Sequence, residues 1–325
     1  MRSAEEFKEW LNQSKAYLHF EDGKTFEGKI NLKKDDPALK KGIWGEAAFT
    51  TGMAGYQETM TDPSFLGQHI IFSTSHVGNY AADASVNQSE KCHASCLMAR
   101  NFSPNQFLES TNVPLFSDFD SRALVKYLVN SKNLHTSVVS SSSNAPSKEE
   151  FKRAELKCNE LERVSQKEAR VIIPGNNPIV LINYGVKQAI VDNLKGLGLP
   201  LVSLPFNSTL EQIKSYDPQL VFLSNGPGDP RTYYSQIEVV KELLTAKVPI
   251  RAICLGHQLL TLALGAEVVR LPFGQRGANH PVLNLVDGDI MITSQNHGYA
   301  AEEESLKKVL KNNPLNREIL IHSKS

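Results

Sequence analysis

Val248-Pro249-Ile250-Arg251-Ala252-Ile253-Cys254-Leu255-Gly256-His257-Gln258 is the stretch on which the fold turns. An apolar run of strand length, Pro249–Ile253, gives way at Cys254 to a helical pattern from Gly256 to about Leu264. A cysteine at such a junction sits on a strained turn that exposes its side chain, and the helix N-terminus behind it favours a thiolate. Strand and helix pass close together there, so small neighbours are needed, and Ala252 and Gly256 supply them. The backbone N–H of Leu255 is placed to form half of an oxyanion hole. A buried core thiol would satisfy the same local pattern, because free cysteine is among the most buried residue types.

Upstream of this elbow, from Pro178 onward, strands and helices alternate. Ile179–Asn183, Leu199–Leu204 and Leu220–Ser224 are short apolar strands, and helices are expected over Lys187–Lys195 and Ser235–Thr245. That order predicts a mostly parallel sheet covered by helices on both faces. Ser224-Asn225-Gly226-Pro227-Gly228-Asp229-Pro230 follows one of those strands, and its glycines let backbone N–H groups turn toward a ligand. An ordinary β-turn would also account for it. Both loops, however, fall at strand carboxyl ends, where open α/β sheets bind ligands. Downstream, Val282–Leu285, Ile290–Thr293 and Glu318–His322 read as further strands.

The first 135 residues have a different texture. Tyr17–Phe20 and Thr25–Ile30 flank an Asp22-Gly23 turn and read as a hairpin. Ala47–Thr50 and Ile70–Ser73 read as strands, Glu90–Arg100 and Arg122–Val129 as helices, the second capped by Asp118-Phe119-Asp120-Ser121. Residues 136–177 read as a linker carrying one amphipathic helix with Phe151, Ala154, Cys158 and Leu161 on its apolar stripe. The expected organisation is a mixed α/β domain over 1–135, the linker, and an α/β domain over 178–325. Cys92-His93-Ala94-Ser95-Cys96 holds three soft ligand types but no second cluster, so it reads as one face of the Glu90–Arg100 helix and not as a metal site.

The bulk properties of the 325 residues narrow the class. Hydrophobic residues make up 41% and charged residues 22%, as in globular proteins with real cores. Lys plus Arg equals Asp plus Glu, 35 against 35, which argues against a nucleic-acid or membrane-surface partner recognised through a bulk basic field. No apolar run approaches membrane-spanning length, and the acidic start Met1–Lys8 is not a secretory leader. Four cysteines without a dense framework point to free thiols in a cytoplasmic protein.

Ser224–Pro230 and Ile253–Gln258 resemble the class I, triad-type glutamine amidotransferase domain. Phe273-Gly274-Gln275-Arg276-Gly277-Ala278-Asn279-His280-Pro281-Val282 and Ser294-Gln295-Asn296-His297-Gly298-Tyr299 are similar to the glutamine-hydrolysing small subunits of carbamoyl-phosphate synthases. So are Phe49–Ser64 and His76-Val77-Gly78-Asn79-Tyr80, in the half that other amidotransferases lack. The resemblance implies that Cys254 attacks the side-chain amide of glutamine to give a thioester and ammonia. It implies that Leu255 and Gly228 supply oxyanion N–H groups, and that Ser64, Gly226, Gly228, Leu255, Gln258, Asn296, Gly298 and Tyr299 hold the substrate. It further implies a large-subunit partner that turns the ammonia into carbamoyl phosphate. ATP and magnesium would belong to that partner, with no cofactor in this chain.

One departure bears on chemistry. The family's triad is completed by a His-Pro-Glu motif beyond the Gln-Asn-His-Gly loop, and this sequence contains none; 25 residues follow Ala300. The chain is therefore expected to stop before its general base and orienting carboxylate, as a truncated form of an otherwise ordinary subunit. A positioned acid–base contributes ~10²–10⁴-fold, so little or no glutamine hydrolysis is expected of this polypeptide. His257 and His297 match positions that coexist with the family's catalytic histidine and are expected to shape the pocket, and His322 to be an ordinary strand residue. Ala252 stands where the family has glycine, and Asn183–Gln188 departs from an aspartate-containing version. Two rival readings stay open: a non-hydrolytic glutamine-binding subunit, and an amidotransferase serving another synthase. The sequence does not choose between an arginine and a pyrimidine pathway.

Overall fold

The computed structural model describes residues 2–75, 77–131, 136–154, 160–285, 287–312 and 323–324. The chain divides into two units, Met1–Lys157 with Pro272–Asn279, and Cys158–Leu271 with His280–Ser325.

Seven strands close the first unit into a barrel: β1 (Ser14–Phe20), β2 (Thr25–Ile30), β3 (Ile43–Thr50), β4 (Gln68–Phe72), β5 (Cys96–Met98), β6 (Leu115–Ser117) and β7 (Thr136–Ser140). Their order around the barrel is β1-β2-β6-β5-β4-β3-β7. The expected hairpin is present as β1 and β2, paired antiparallel with Leu18 opposite Phe26. Its turn works because Gly23 adopts φ 87°, open to glycine without steric cost, and the Asp22 carboxylate accepts the Lys24 N–H at 2.9 Å. The expected strands over Ala47–Thr50 and Ile70–Ser73 lie in β3 and β4, which pair in parallel. Ser121–Asn130 is helical, with Asp120 accepting the Ala123 N–H at 2.8 Å.

The helix expected over Glu90–Arg100 does not form. Its end is β5, inserted in parallel between β4 and β6. Cys96 and Met98 enter one core of the barrel unit while Leu97 and Ala99 enter another. That alternation has period two, and burial on both faces hides it as a continuous apolar run. The stretch read as linker from 136 likewise opens with a strand, β7, which pairs with both β1 and β3 and closes the barrel.

In the stretch expected to carry an amphipathic helix, Lys148–Ala154 and Glu160–Val164 are helical, and residues 155–159 lie outside the described residues. Phe151 is 1% exposed and meets Trp44 edge to face in the first unit. Leu161 instead joins the main core of the second unit. Cys158 lies outside the described residues.

The second unit holds β8 (Arg170–Ile173), β9 (Ile179–Asn183), β10 (Leu201–Pro205), β11 (Leu220–Leu223) and β12 (Ile250–Ala252) in the order β12-β11-β9-β10-β8. The four from β9 to β12 run parallel, and β8 is antiparallel to β10. Val180, Ile182, Val202, Leu204, Val221 and Leu223 pack on one face, under the Tyr234–Thr245 helix. Ile179, Leu181 and Leu201 pack on the other, against Ile190, Val191 and Leu194 of the Gln188–Gly196 helix. Each fully buried aliphatic side chain stabilises the fold by about 1.5–3 kcal/mol before entropy is counted. The architecture is thus the helix-covered, mostly parallel α/β sheet that the sequence predicts.

Beyond it lie β13 (Val268–Asn284), β14 (Ile290–Ala301) and β15 (Ser323–Lys324), ordered β14-β13-β15. β13 and β14 are far longer than the short strands expected at Val282–Leu285 and Ile290–Thr293. Gln275, Arg276, Asn279 and His280 interrupt the apolar pattern that would have signalled them. The expected strand Glu318–His322 lies outside the described residues. Within the first unit, Thr51 donates through its N–H and its hydroxyl to the Arg276 carbonyl, both at 3.3 Å, and Phe49 stacks on Phe273.

Candidate active site

The turn at Cys254 is held from behind by the end of β11. The Ile253 N–H donates to the Leu223 carbonyl at 3.1 Å, and three residues later the Gly256 N–H donates to the Ser224 carbonyl at 2.9 Å. Anchoring both sides to adjacent carbonyls forces the chain through a sharp corner, and Cys254 takes φ 50° and ψ −114°. For a non-glycine residue such a conformation costs about 1–3 kcal/mol, and it presents the thiol away from the sheet. The positive φ falls on Cys254 and not on Ala252, so alanine is accommodated there. Gly256 has no such latitude, since a Cβ on it would lie 2.6 Å from the Leu223 carbonyl carbon. Leu255 opens the helix Leu255–Ala263, and its N–H has no carbonyl in its own helix to bond.

The loop after β11 is fixed by its polar side chains. The Ser224 hydroxyl accepts the Tyr184 N–H at 2.9 Å and donates to the Asn225 carbonyl at 2.8 Å. Asn225 accepts the Lys187 N–H at 3.1 Å and donates to the Gly185 carbonyl at 3.0 Å. Asn183, in the stretch that departs from the family pattern, accepts the N–H groups of Gly185 and Val186. Gly226 is pressed between the Tyr184 carbonyl and Leu255. Gly228 has φ 89° and lies against the Tyr233 ring, whose hydroxyl donates to the Pro227 carbonyl at 3.1 Å. Asp229 receives the Arg231 N–H and guanidinium, the shortest contact being 2.6 Å from Nη2. Burial pushes the Asp229 carboxyl up, but the bonds from Arg231, with a smaller contribution from the nearby Tyr299 hydroxyl, outweigh it and hold the group below its ordinary range.

β14 supplies the facing wall. The Cys254 Sγ lies 3.5 Å from the Asn296 carbonyl oxygen. The Gln258 side-chain amide donates to the Tyr299 carbonyl at 2.9 Å. The His297 ring sits 2.9 Å from that same carbonyl through Nδ1 and 3.1 Å from the Gln295 side-chain oxygen through Nε2. His257 lies exposed on its helix. Cys254 is partly exposed. Cys96, in contrast, is fully buried in the barrel unit, and burial pushes its thiol far above the ordinary range.

Of the residues singled out by sequence, Cys254, Leu255, Gln258, Gly226, Gly228, Asn296, Gly298 and Tyr299 all belong to the second unit, on the elbow, the β11 loop and β14. Ser64 belongs to the first unit, in the turn Pro63–Phe65, where Asp62 accepts its N–H at 2.9 Å. His322 lies outside the described residues. Sequence reading did not single out Asp229, Arg231, Tyr233 or Arg270. An aspartate two residues before an arginine is the local signal that was present for the first two. Among the described residues no group of three or more His, Cys, Asp or Glu is arranged to hold a metal ion, and no helix is long and apolar enough to cross a membrane.

A cysteine at a strand–helix elbow, faced by a glycine-rich loop at the end of the neighbouring parallel strand, is the arrangement of a class I glutamine amidotransferase. Residues 180–322 match the family described as Glutamine amidotransferase class-I, and residues 18–138 match Carbamoyl-phosphate synthase small chain, CPSase domain. The Carbamoyl phosphate synthase small chain of Caldanaerobacter subterraneus subsp. tengcongensis is 39% identical over 305 residues, spanning 90% of this chain and 82% of that one. The Carbamoyl phosphate synthase arginine-specific small chain of Halalkalibacterium halodurans is 36% identical, with the same two coverages. The chain belongs to the family of carbamoyl phosphate synthase small chains. A solved glutamine amidotransferase from Methylobacillus flagellatus aligns with 39% of this chain and 58% of its own at 17% identity and TM-score 0.31, a likeness too slight to carry weight.

Proposed function

We propose that this chain binds glutamine and uses Cys254 to release its side-chain nitrogen as ammonia for a carbamoyl phosphate synthase large chain. The observation that carries this reading is the positive-φ corner at Cys254, which exposes a thiol at a helix N-terminus opposite Asn296. Sγ attacks the side-chain carbonyl carbon, and the oxygen gains negative charge within reach of the Leu255 and Gly228 N–H groups. The C–N bond breaks once the nitrogen takes a proton, leaving a glutamyl thioester that water cleaves to glutamate. Gly226, Asn296, Gly298 and the backbone of Tyr299 hold the substrate in this reading. Gln258 contributes by fixing the Tyr299 carbonyl.

Proton delivery to the leaving nitrogen is the demanding step. His257 is exposed, and both nitrogens of His297 face acceptor oxygens, so neither is the general acid in this reading. With no His-Pro-Glu motif in its 325 residues, the polypeptide alone binds glutamine and turns it over slowly. The test is ammonia release from glutamine, alone and with a large chain, against Cys254→Ser. Glutamine binding with little Cys254-dependent release is the expected result. Failure of glutamine to bind would overturn the assignment, and rapid Cys254-dependent release would overturn the slow-turnover part of it.

A further inference from the structure

We infer that the Tyr299 side chain is a positioning residue that latches β14 to the oxyanion loop and so sets the width of the pocket around Cys254. The inference rests on the glutamine-pocket reading above and adds a part to it. Tyr299 is only 9% exposed, and its ring is flanked by two guanidinium groups. Arg231, from the loop after β11, lies 5.4 Å from the ring centroid, and Arg270, from β13, lies 5.8 Å from it. Both distances fall within the range in which a cation is attracted to an aromatic face. The Tyr299 hydroxyl faces the Asp229 carboxylate, which takes the Arg231 guanidinium in a two-pronged pairing, so Arg231 lies between the ring and the loop. Asp229 directly follows Gly228, so the side chain of residue 299 abuts the loop one residue from an expected oxyanion donor.

The backbone of the same residue is fastened elsewhere. Its carbonyl accepts from Gln258 on the elbow helix and faces the His297 ring. Three structures therefore meet at residue 299: the elbow helix through the carbonyl, the oxyanion loop through the hydroxyl and ring, and β13 through Arg270. Asn296, whose carbonyl faces the Cys254 sulfur, is three residues away on the same strand. A shift at Tyr299 moves the wall opposite the nucleophile and the oxyanion loop relative to each other. The side chain acts through those neighbours and not by touching the substrate. A phenylalanine would fill the same space but would lose the hydroxyl that faces Asp229, and with it part of the grip on the loop.

The experiment compares the full 325-residue chain with Tyr299→Phe, Tyr299→Leu and Arg231→Lys in two measurements. The first is the rate of Cys254 alkylation by a chloroketone shaped like glutamine and by iodoacetamide, which needs no pocket. The second is backbone amide exchange over residues 224–231 and 295–301 without ligand. Tyr299→Phe is expected to slow the glutamine-shaped reagent roughly tenfold, as misplacement of a binding wall by a fraction of an ångström does. Iodoacetamide reactivity stays unchanged, and exchange speeds up in both segments. Arg231→Lys keeps a charge over the ring but loses the two-pronged pairing, and its effect is expected to match that of Tyr299→Phe. Unchanged exchange over 224–231, or equal slowing with both reagents, overturns the latch. If wild type ignores the glutamine-shaped reagent, the amidotransferase reading fails, and exchange still decides whether Tyr299 holds the loop. Should Tyr299→Leu not fold, the other two variants carry the test.

Discussion

The ring of Tyr233 occupies the space that a side chain on Gly228 would need. A Cβ on that glycine would lie 2.8 Å from the phenolic Cζ and closer still to the hydroxyl, at a backbone φ of 89°. Gly228→Ala therefore meets two penalties, about 1–2 kcal/mol for the left-handed backbone and about 1–3 kcal/mol for overpacking. Urea unfolding should show a loss within the sum of those ranges, and labelling of Cys254 by a glutamine-shaped reagent should disappear. Pairing the change with Tyr233→Ala should recover part of the stability, because only the overpacking is relieved.

Gly256→Ala sets a side chain against backbone, where neither partner can rotate away. The added carbon would crowd the Leu223 carbonyl and break the Gly256 N–H bond to Ser224 that holds the elbow shut. A loss of about 3 kcal/mol or more is expected, at the upper end of overpacking costs. Native iodoacetamide reactivity of Cys254 should change with it, since the corner that exposes the thiol is lost.

The cysteines should differ in a peptide map after brief alkylation of the native protein. Cys254, partly exposed at its helix N-terminus, should be modified, and Cys96, buried in the barrel unit with its thiol pushed upward, should be spared. Denaturant should make the Cys96 peptide react. Modification of native Cys96 at a comparable rate would contradict the placement of β5.

Acid should weaken the barrel unit through His69. The ring is fully buried, with Nδ1 2.8 Å from the Ser137 hydroxyl, and burial lowers its pKa from 6.5 to about 3. The unfolded chain then binds the proton more readily than the folded one. The contribution of His69 is intact above pH 6.5 and is lost as pH falls from there toward 3, by up to ~1.4 kcal/mol per unit. Urea midpoints between pH 7 and pH 5 should fall less steeply for His69→Gln than for wild type.

The parts of the fold that could be read from sequence were those whose cause is local. Asp22-Gly23 announces its hairpin, and apolar strands such as Ile179–Asn183 announce a sheet buried on both faces. The elbow was legible because Cys254 sits between an apolar strand and a helix that begins with glycine. β5 was not, because three residues buried on both sides carry no alternation to see. β13 was hidden by polar residues that a long strand tolerates where local pattern does not decide. Phe151 and Leu161 share a helical spacing, yet one meets Trp44 in the first unit and the other joins the core of the second, and spacing alone holds no information about which. At the site, the nucleophile and its glycines were visible, while the cluster around Tyr299 was not. Its members come from residues 229, 231, 258 and 270, and only the folded chain brings them together.

Pro272–Asn279, late in the sequence, belongs to the barrel unit. The barrel unit is therefore discontinuous in the gene, and no single scission of the chain yields it whole. A fragment ending at Lys157 would leave Phe49 without its stacking partner and Thr51 without the carbonyl it binds. Restoring those contacts would need the missing strand added back as a separate peptide. The barrel unit thus waits, as the chain is synthesised, for a segment made only after residues 158–271.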